Sequence, residues 1–376
     1  MLLTAVLLTA APLTGVTIAG ASAGSAAHAA DDDAIGGPAM GTNGTVTSAG
    51  TPALPVSVTA AGFVVADLGS GAVYAARYPH LKVPPASTLK TLTALVLLPK
   101  LDPGRVVVAN DADASVEGTR VGIVPKGKYT VEQLFQALLM MSGNDAAELL
   151  ARVDGSRSQT LDEMNAKAKE LRAFDTFAGT PSGLDAPAQS SSAYDLALIN
   201  RATMALPAFR RYVAMRQSTF GAAGGAHFAI QNKNRLFRHG YPGAIGIKDG
   251  FTDAAQHTYI GAATRAGRTY IVSMMRADRT YWMQAATLLD WAFALPASAA
   301  PVGTLVEPIP PGAPDPSAAP GDAASPGAGA ATKASSGWRG RRGWLLLGLV
   351  SGALLTTAVM LVSVRRRTGR HPVRGG

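Results

Sequence analysis

Three short motifs carry the residue types of a serine-based acyl-transfer site, and each occurs once, in chain order: S-T-L-K at 87–90, S-G-N at 142–144 and K-D-G at 248–250. In the first motif, Ser87 supplies a nucleophilic hydroxyl, and Lys90 follows one helical turn later, where it can take the proton. A four-residue match is weak evidence alone. Three matches in order predict a single site that uses lysine, rather than histidine, as its base.

Lys90 can act as a base only if its amine is uncharged. It lies among Leu89, Leu92 and Leu95, where a solvated ammonium is not expected and where burial lowers the pKa of a lysine. A neighbouring positive charge would lower this pKa further, and Lys248 is the candidate neighbour. We therefore expect Lys90 to be buried and neutral.

The second motif adds a hydroxyl and an amide to the same site. Ser142 and Asn144 lie between two helix-patterned segments, 131–141 and 146–153. We predict that Ser142 passes a proton between Lys90 and the leaving amine, and that Asn144 holds an amide of the substrate. A helix cap in this segment is the structural alternative, and both roles can coexist.

The third motif predicts an edge strand at 248–252 on which an extended peptide can lie. Lys248 supplies a positive charge for substrate binding, and Gly250 leaves room for the peptide backbone. Phe251 is expected to donate its backbone N–H to the developing oxyanion, together with the N–H of Ser87.

These motifs belong to a wider resemblance that covers about residues 56–295. The segments are P-P-A-S at 84–87, S-G-N-D-A at 142–146, S-G-L-D at 182–185 and Q-S-S-S-A-Y-D at 189–195. They are similar to strings of the serine D-alanyl-D-alanine carboxypeptidases, the low-molecular-mass penicillin-binding proteins of the S11 peptidase family. The resemblance implies an α+β, penicillin-binding protein/serine β-lactamase-like fold, in which helices and a helical subdomain flank a five-stranded antiparallel sheet.

The resemblance also implies an activity. Such enzymes remove the terminal D-alanine from peptidoglycan stem pentapeptides through an acyl-serine, and β-lactam antibiotics acylate the same serine. We therefore expect a penicillin-sensitive carboxypeptidase that acts in cell-wall maturation. No cofactor and no metal is expected, because the six histidines are scattered and none forms a ligand-spaced pair with another.

One position departs from the family pattern. The third motif is usually Lys-Thr-Gly, whose hydroxyl helps to bind the C-terminal carboxylate of the substrate, and this chain has Asp249 there. Two like charges about 4 Å apart repel by up to about 4 kcal/mol at an effective dielectric of about 20. Our hypothesis is that Lys248 and Thr252 retain the carboxylate site.

Asp249 leaves two alternatives open. A DD-endopeptidase would cut crosslinked stems with the same residues, and there the acceptor need not be a free carboxylate. A catalytically silent, membrane-tethered wall-binding module would keep the fold without the chemistry. A β-lactamase is disfavoured, because no base placed for rapid deacylation can be identified in the sequence.

The net charge of +9 comes from the C-terminal end of the chain. No acidic residue follows Asp322, but nine of the 34 basic residues do: Lys333, Arg339, Arg341, Arg342, Arg365, Arg366, Arg367, Arg370 and Arg374. The other 25 basic residues balance the 25 acidic ones. The charge therefore indicates a membrane-flanking tail, and no nucleic-acid partner is expected.

Two apolar segments predict where the protein is located. Residues 1–30 contain an apolar stretch and an A-x-A pattern at 27–29, typical of a signal peptide, although no Lys or Arg precedes Arg77. The run 344–364 has 21 uncharged residues between arginine clusters, enough to span a hydrocarbon core of about 30 Å. We predict a single-pass cell-membrane protein whose catalytic domain faces the cell wall; an uncleaved N-terminal anchor is the alternative.

The order of patterns along the chain predicts its domains. Strand signals from residue 56, a helical insert at about 105–215 and further strand signals to 295 indicate one α+β catalytic domain. The predicted segments are a signal peptide (1–29), a flexible tether (30–55), the peptidase domain (56–297), a Pro/Ala/Gly-rich linker (298–343), a transmembrane helix (344–364) and a basic cytoplasmic tail (365–376).

Overall fold

The structure is a computed structural model that describes residues 34–310 and 312. The predicted signal peptide, the predicted transmembrane helix at 344–364 and the predicted basic cytoplasmic tail lie outside these residues. Within the described part of the chain, no helix is both long enough and apolar enough to cross a membrane.

The described residues form short and long strands interleaved with helices. The strands are β1 (Thr45–Thr47), β2 (Gly62–Asp67), β3 (Ala72–Arg77), β4 (Val106–Val108), β5 (Lys128–Thr130), β6 (Gln217–Gly221), β7 (His227–Gln231), β8 (Ala244–Thr252), β9 (Gln256–Arg265), β10 (Arg268–Ala277) and β11 (Gly303–Thr304). The α-helices are α1 (Lys90–Leu97), α2 (Asp111–Ala114), α3 (Val131–Gln136), α4 (Asn144–Val153), α5 (Arg157–Glu170), α6 (Ala193–Met204), α7 (Pro207–Val213), α8 (Arg235–Arg238) and α9 (Tyr281–Phe293).

The main sheet is antiparallel and has the order β1-β3-β2-β10-β9-β8. Five strands, β3, β2, β10, β9 and β8, form the predicted sheet. Two short strands, β1 and β11, also pair with β3, so the sheet has seven strands in the described part of the chain. Strand β8 lies at the opposite edge, and within the described part of the chain it pairs only with β9.

Helices cover both faces of the sheet. Successive strand residues point to opposite sides, and apolar side chains on each side pack against helices. Val64 and Ile271 pack into the core shared with α1 and α6, whereas Phe63 and Val272 pack into the core beneath α9. With apolar neighbours on both faces, the central strands are continuous buried runs rather than alternating ones. The rigid centre of the sheet holds β9, and β9 holds the edge strand β8 in place.

A helical subdomain containing α2 to α5 packs beside α1. A Thr130 capping box begins α3, whose last turn continues into a π-helical segment, Ala137–Met141. This wider turn ends at Ser142, so the second motif lies at the junction of two helices, as its flanking sequence predicts. Such π-bulges are frequent at functional sites.

The structure differs from the predicted domain boundaries at both ends. The predicted tether, 30–55, contains a 3₁₀ turn with the buried Met40 as well as strand β1. The predicted linker, 298–343, begins with a packed segment in which Leu305 is buried and Thr304 N donates to Gly36 O at 3.0 Å. Composition does not reveal this packing, because the anchoring apolar residues are isolated among small and polar ones.

Candidate active site

Ser87 and Lys90 meet because a 3₁₀ turn precedes α1. The turn spans Ala86–Leu89, and α1 begins at Lys90. Side chains three residues apart eclipse each other in a 3₁₀ helix. Lys90 Nζ therefore lies 2.8 Å from Ser87 Oγ, within reach of the hydroxyl proton.

The Lys90 amine has two further partners, both of which can only accept hydrogen bonds. Lys90 Nζ donates to Asn144 Oδ1 at 2.7 Å and to Ser182 O at 2.5 Å. The Asn144 amide is fixed in this orientation, because its Nδ2 donates to Glu117 O at 2.7 Å. A neutral amine has two N–H donors and one lone pair. In that neutral form the two carbonyl-type oxygens occupy both donors, and the lone pair is left to accept from the Ser87 hydroxyl.

Burial strongly lowers the pKa of Lys90, and the positive charge of Lys248 lowers it further. Lys90 is fully buried, with 0% of its surface exposed. Both causes are those expected from the sequence, because apolar residues flank Lys90 in its helix and the third motif supplies Lys248. The lowered pKa suits Lys90 to act as a base.

Ser142 ends the π-helical segment in a left-handed conformation, with φ 63° and ψ 33°. This conformation is uncommon for residues other than glycine and often marks functional sites. The Ser142 side chain is buried, and its hydroxyl has no hydrogen-bond partner among the described residues. Ser142 lies at the site next to the motif residue Asn144, which binds Lys90. No hydrogen bond joins Ser142 to Lys90, so the role of Ser142 in proton transfer stays a prediction.

The third motif lies in β8, and its alternate residues face the nucleophile. A Cβ at Gly250 would lie 2.7 Å from Ser87 N and 2.5 Å from Thr258 Oγ1. The predicted role of Gly250 therefore changes, because it leaves room for the backbone of the nucleophile rather than for that of the substrate. Lys248 is almost fully buried on the same face, and its Nζ donates to Asp249 O at 2.6 Å.

Asp249 points to the other face of β8, because it pairs across the strands with Tyr259, which packs beneath α9. Its Oδ1 nevertheless lies 3.1 Å from Lys248 Nζ. Burial raises the pKa of Asp249, but the Lys248 ammonium outweighs this effect and holds the pKa below its usual range. Asp249 is therefore ionised and paired with Lys248.

A basic cavity of about 550 Å³ opens beside Asp249. Phe251, which is 55% exposed, and Tyr281 form part of its wall. Four further cationic side chains line it, and none of them forms a salt bridge with another residue in the described part of the chain: Lys233, Arg235, Arg238 and Arg279. The charge environment of Asp249 is thus strongly positive.

Thr252 lies at the end of β8 and does not have the predicted free hydroxyl. Thr252 Oγ1 donates to Asp185 Oδ1 at 2.9 Å and accepts from Ala255 N at 3.0 Å. Its proton is thus directed to a carboxylate of the protein. The hypothesis that Thr252 helps to bind the substrate carboxylate is not supported by this geometry, because Asp185 would repel a second carboxylate.

Sequence reasoning missed the role of the S-G-L-D segment in building the site. Ser182 supplies a carbonyl to Lys90, and Gly183, with φ 80°, passes directly against the backbone of Ala86 and Ser87. Asp185 then reaches Thr252 on β8. The string itself was visible in the sequence, but backbone carbonyls and interatomic contacts leave no signal in residue type.

A serine beside a buried lysine of lowered pKa, set between a helical subdomain and the edge of an antiparallel sheet, defines a serine acyl-transfer enzyme of the penicillin-binding class. The sequence profile of the S11 peptidase family, described as D-alanyl-D-alanine carboxypeptidase, matches residues 46–279. The chain belongs to this family.

Similar proteins support the assignment in sequence and in structure. The chain is 45% identical over 250 residues to D-alanyl-D-alanine carboxypeptidase DacB2 of Mycobacterium tuberculosis, covering 65% of this chain and 85% of the relative. A crystal structure of a D-alanyl-D-alanine carboxypeptidase from M. tuberculosis H37Rv has a TM-score of 0.66 at 45% identity, covering 69% of this chain and 99% of that one. The Streptomyces K15 DD-transpeptidase has a TM-score of 0.61 at 26% identity, covering 65% and 99%.

Proposed function

We propose that this protein is a penicillin-sensitive serine D-Ala-D-Ala carboxypeptidase that removes the terminal D-alanine from peptidoglycan stem pentapeptides. The observation that carries the proposal is the 2.8 Å separation between Lys90 Nζ and Ser87 Oγ, with both other partners of the amine acting as acceptors. Membership of the S11 family supports the same activity.

The reaction follows from this arrangement in two stages. Lys90 takes the Ser87 proton while Ser87 Oγ bonds to the penultimate D-alanine carbonyl, and backbone N–H groups of Ser87 and Phe251 stabilise the oxyanion. The proton passes through Ser142 to the leaving amine, the C–N bond breaks, and free D-alanine departs. Water then attacks the acyl-serine with Lys90 as base, which releases the tetrapeptide and restores Ser87.

The basic cavity explains how a free carboxylate can bind despite Asp249. Asp249 is the only acidic residue among the described residues that line the cavity, whereas four cations line it and Lys248 pairs directly with Asp249. The repulsion expected from Asp249 is therefore outweighed, and a carboxylate beside Lys248 experiences a net attraction. This favours a substrate with a free C-terminus, and it gives no support to an endopeptidase or to a silent module.

Labelling and product analysis test the proposal. Fluorescent penicillin should label the wild-type protein and leave Ser87→Ala unlabelled. Incubation with a D-Ala-D-Ala pentapeptide and with a crosslinked dimer, followed by mass spectrometry, identifies the bond that breaks. Loss of one D-alanine from the pentapeptide is the expected product, whereas absence of labelling, or cleavage of the dimer alone, would refute the carboxypeptidase assignment.

We also propose that the enzyme acts at the outer face of the cell membrane. The signal-peptide pattern at 1–29 and the apolar run at 344–364 support export and a single C-terminal anchor, with residues 365–376 in the cytoplasm. Protease treatment of intact spheroplasts should digest the catalytic domain and spare a tag fused after residue 376. Protection of the catalytic domain from the protease would indicate the opposite orientation.

A further inference from the structure

The hydrogen bond between Asp185 and Thr252 lies on the catalytic face of β8. Residues alternate along a strand, so Thr252 shares a face with Gly250, whose backbone contacts Ser87. Two residues of strand span about 7 Å. The Asp185 carboxylate therefore lies beside β8, in the groove along this edge strand where an extended peptide would bind. It is within a residue or two of the substrate carbonyl that Ser87 would attack.

The direction of a bound peptide can be derived from the charges, and this step rests on the proposed function. Lys248, which lies on the same face of β8 as Gly250, marks the position of the C-terminal carboxylate, and the basic cavity adds positive charge next to it, beside Asp249. A peptide with its C-terminus there runs opposite to β8, as an added antiparallel strand. The residue that precedes the D-Ala-D-Ala pair then passes Thr252 and Asp185.

Asp185 presents an unneutralised negative charge at that position. Its side chain is exposed, and among the described residues it forms no salt bridge. One carboxylate oxygen accepts the Thr252 hydroxyl, which fixes the direction of the group, and the other has no hydrogen-bond partner within the described part of the chain. The groove is thus positive where the substrate carries its carboxylate and negative one or two residues earlier.

We infer that Asp185 is a specificity-determining residue that selects stem peptides with a free side-chain amine on the residue before the D-Ala-D-Ala pair, and that Thr252 positions it. An amine in this place would pair with the unoccupied carboxylate oxygen. Acylation of the amine, as in a crosslink, removes its charge and adds bulk. The same contact therefore favours uncrosslinked stems over those already joined through this amine.

Matched pentapeptides test this selection in the full-length protein. They end in D-Ala-D-Ala and differ only in the third residue: L-lysine, Nε-acetyl-L-lysine or L-norleucine. An exposed ion pair predicts a preference in kcat/KM of about fivefold for lysine over either neutral residue. D185N keeps an acceptor for Thr252 but removes the charge, so it should reduce this ratio to about one.

Two further variants separate charge from structure. D253N removes another exposed acid in the adjacent turn and should keep the wild-type ratio, whereas T252V should lower the ratio because Asp185 loses its positioning hydrogen bond. Labelling by fluorescent penicillin checks that each variant is folded. Equal kcat/KM for all three peptides in the wild type, or an unchanged preference in D185N, would overturn the inference.

The two proposals fail in different ways. Release of D-alanine from the norleucine peptide, absent in Ser87→Ala, tests the carboxypeptidase activity without involving Asp185. If that release occurs but the lysine preference does not, only the selection by Asp185 is wrong. If no peptide loses D-alanine, the carboxypeptidase assignment is wrong, and the selection is overturned with it.

Discussion

Gly183 passes so close to Ala86 that a Cβ on Gly183 would lie 1.9 Å from the Ala86 carbonyl oxygen. Gly183 also has φ 80°, a conformation that disfavours side chains. Because the contact is with backbone, neither side can move without displacing the turn that carries Ser87. The neighbouring Ser182 carbonyl, which binds Lys90, would move with it.

Gly183→Ala should therefore destabilise the protein by about 2–3 kcal/mol and slow acylation by β-lactams. Urea unfolding and the rate of penicillin labelling measure the two effects. Gly50→Ala is the matched control, because Gly50 has φ 71° but nothing within 4 Å of its Cβ position. Equal losses in both variants would show that the close approach to Ala86 is unimportant.

Lys248 should control the pH dependence of acylation through its effect on Lys90. Burial lowers the pKa of Lys90 most, and Lys248 lowers it further. Removing the charge with Lys248→Met should raise this pKa, so that Lys90 becomes protonated at a higher pH. The acid limb of the pH–rate profile for β-lactam acylation should move to higher pH.

The position of this limb is the relevant measurement, since Lys248→Met also weakens binding and lowers the rate throughout. Lys233→Met removes a nearby cavity cation that is not among the charges acting on Lys90. It should change the magnitude of the rate and leave the limb in place. A limb that stays in place in Lys248→Met would contradict the proposed coupling between the two lysines.

The pairing of Ser87 with Lys90 was predictable because it is local: a spacing of three residues brings the side chains together in one helical turn. The remaining contacts of Lys90 span 54 residues to Asn144 and 92 residues to Ser182. The second motif predicts Asn144 at the site, but as a group that holds an amide of the substrate, whereas in the structure its Oδ1 binds Lys90 and its Nδ2 binds Glu117 O. The contact with Ser182 could not be predicted, because every residue has a backbone carbonyl and only the tertiary fold decides which one faces the lysine.

Thr252 shows a second limit of sequence reasoning. A hydroxyl two residues after Gly250 suggests a group that binds the carboxylate of the substrate. Only the structure reveals that this hydroxyl donates its hydrogen bond to Asp185. The sheet itself was easier to predict, since its long strands are apolar runs with turn residues between them. The short strand β11 was not, because Gly303 and Thr304 have no strand pattern of their own.

Replacement of Asp249 measures how strongly this unusual residue limits the enzyme. Because the surrounding cations outweigh its charge, Asp249→Thr should raise kcat/KM for D-alanine release by no more than about tenfold. Asp249→Asn, which keeps the shape and removes the charge, separates electrostatics from the added hydroxyl. An increase above about a hundredfold in Asp249→Thr would mean that the native carboxylate site is crippled.

His80 should make the stability of the protein depend on pH. Its Nδ1 lies 2.7 Å from Asp175 Oδ2, and its Nε2 lies 3.0 Å from Ile35 O. Burial lowers the pKa of His80, but the hydrogen bond and charge of Asp175 outweigh this effect and raise it above the usual value of 6.5. Two acceptors facing both ring nitrogens favour the imidazolium, which can donate to both.

A raised folded-state pKa gives stability that is fully present below the unfolded-state pKa of about 6.5 and is lost as the pH rises through the folded-state value. Burial raises the pKa of nearby Asp195 to about 7, so its contribution to the stability of the protein is also lost as the pH rises. The comparison therefore uses the difference between wild type and His80→Gln. The advantage of the wild type in melting temperature should shrink between about pH 5.5 and pH 8.5.

His227→Gln is the matched control, because His227 is exposed and has no acidic partner among the described residues. Its melting temperature should follow that of the wild type at every pH. If His80→Gln melts below the wild type by the same amount at both ends of the range, the imidazolium does not stabilise the fold. His80 would then contribute only through packing, such as its contact with Tyr194 at 4.8 Å between ring centroids.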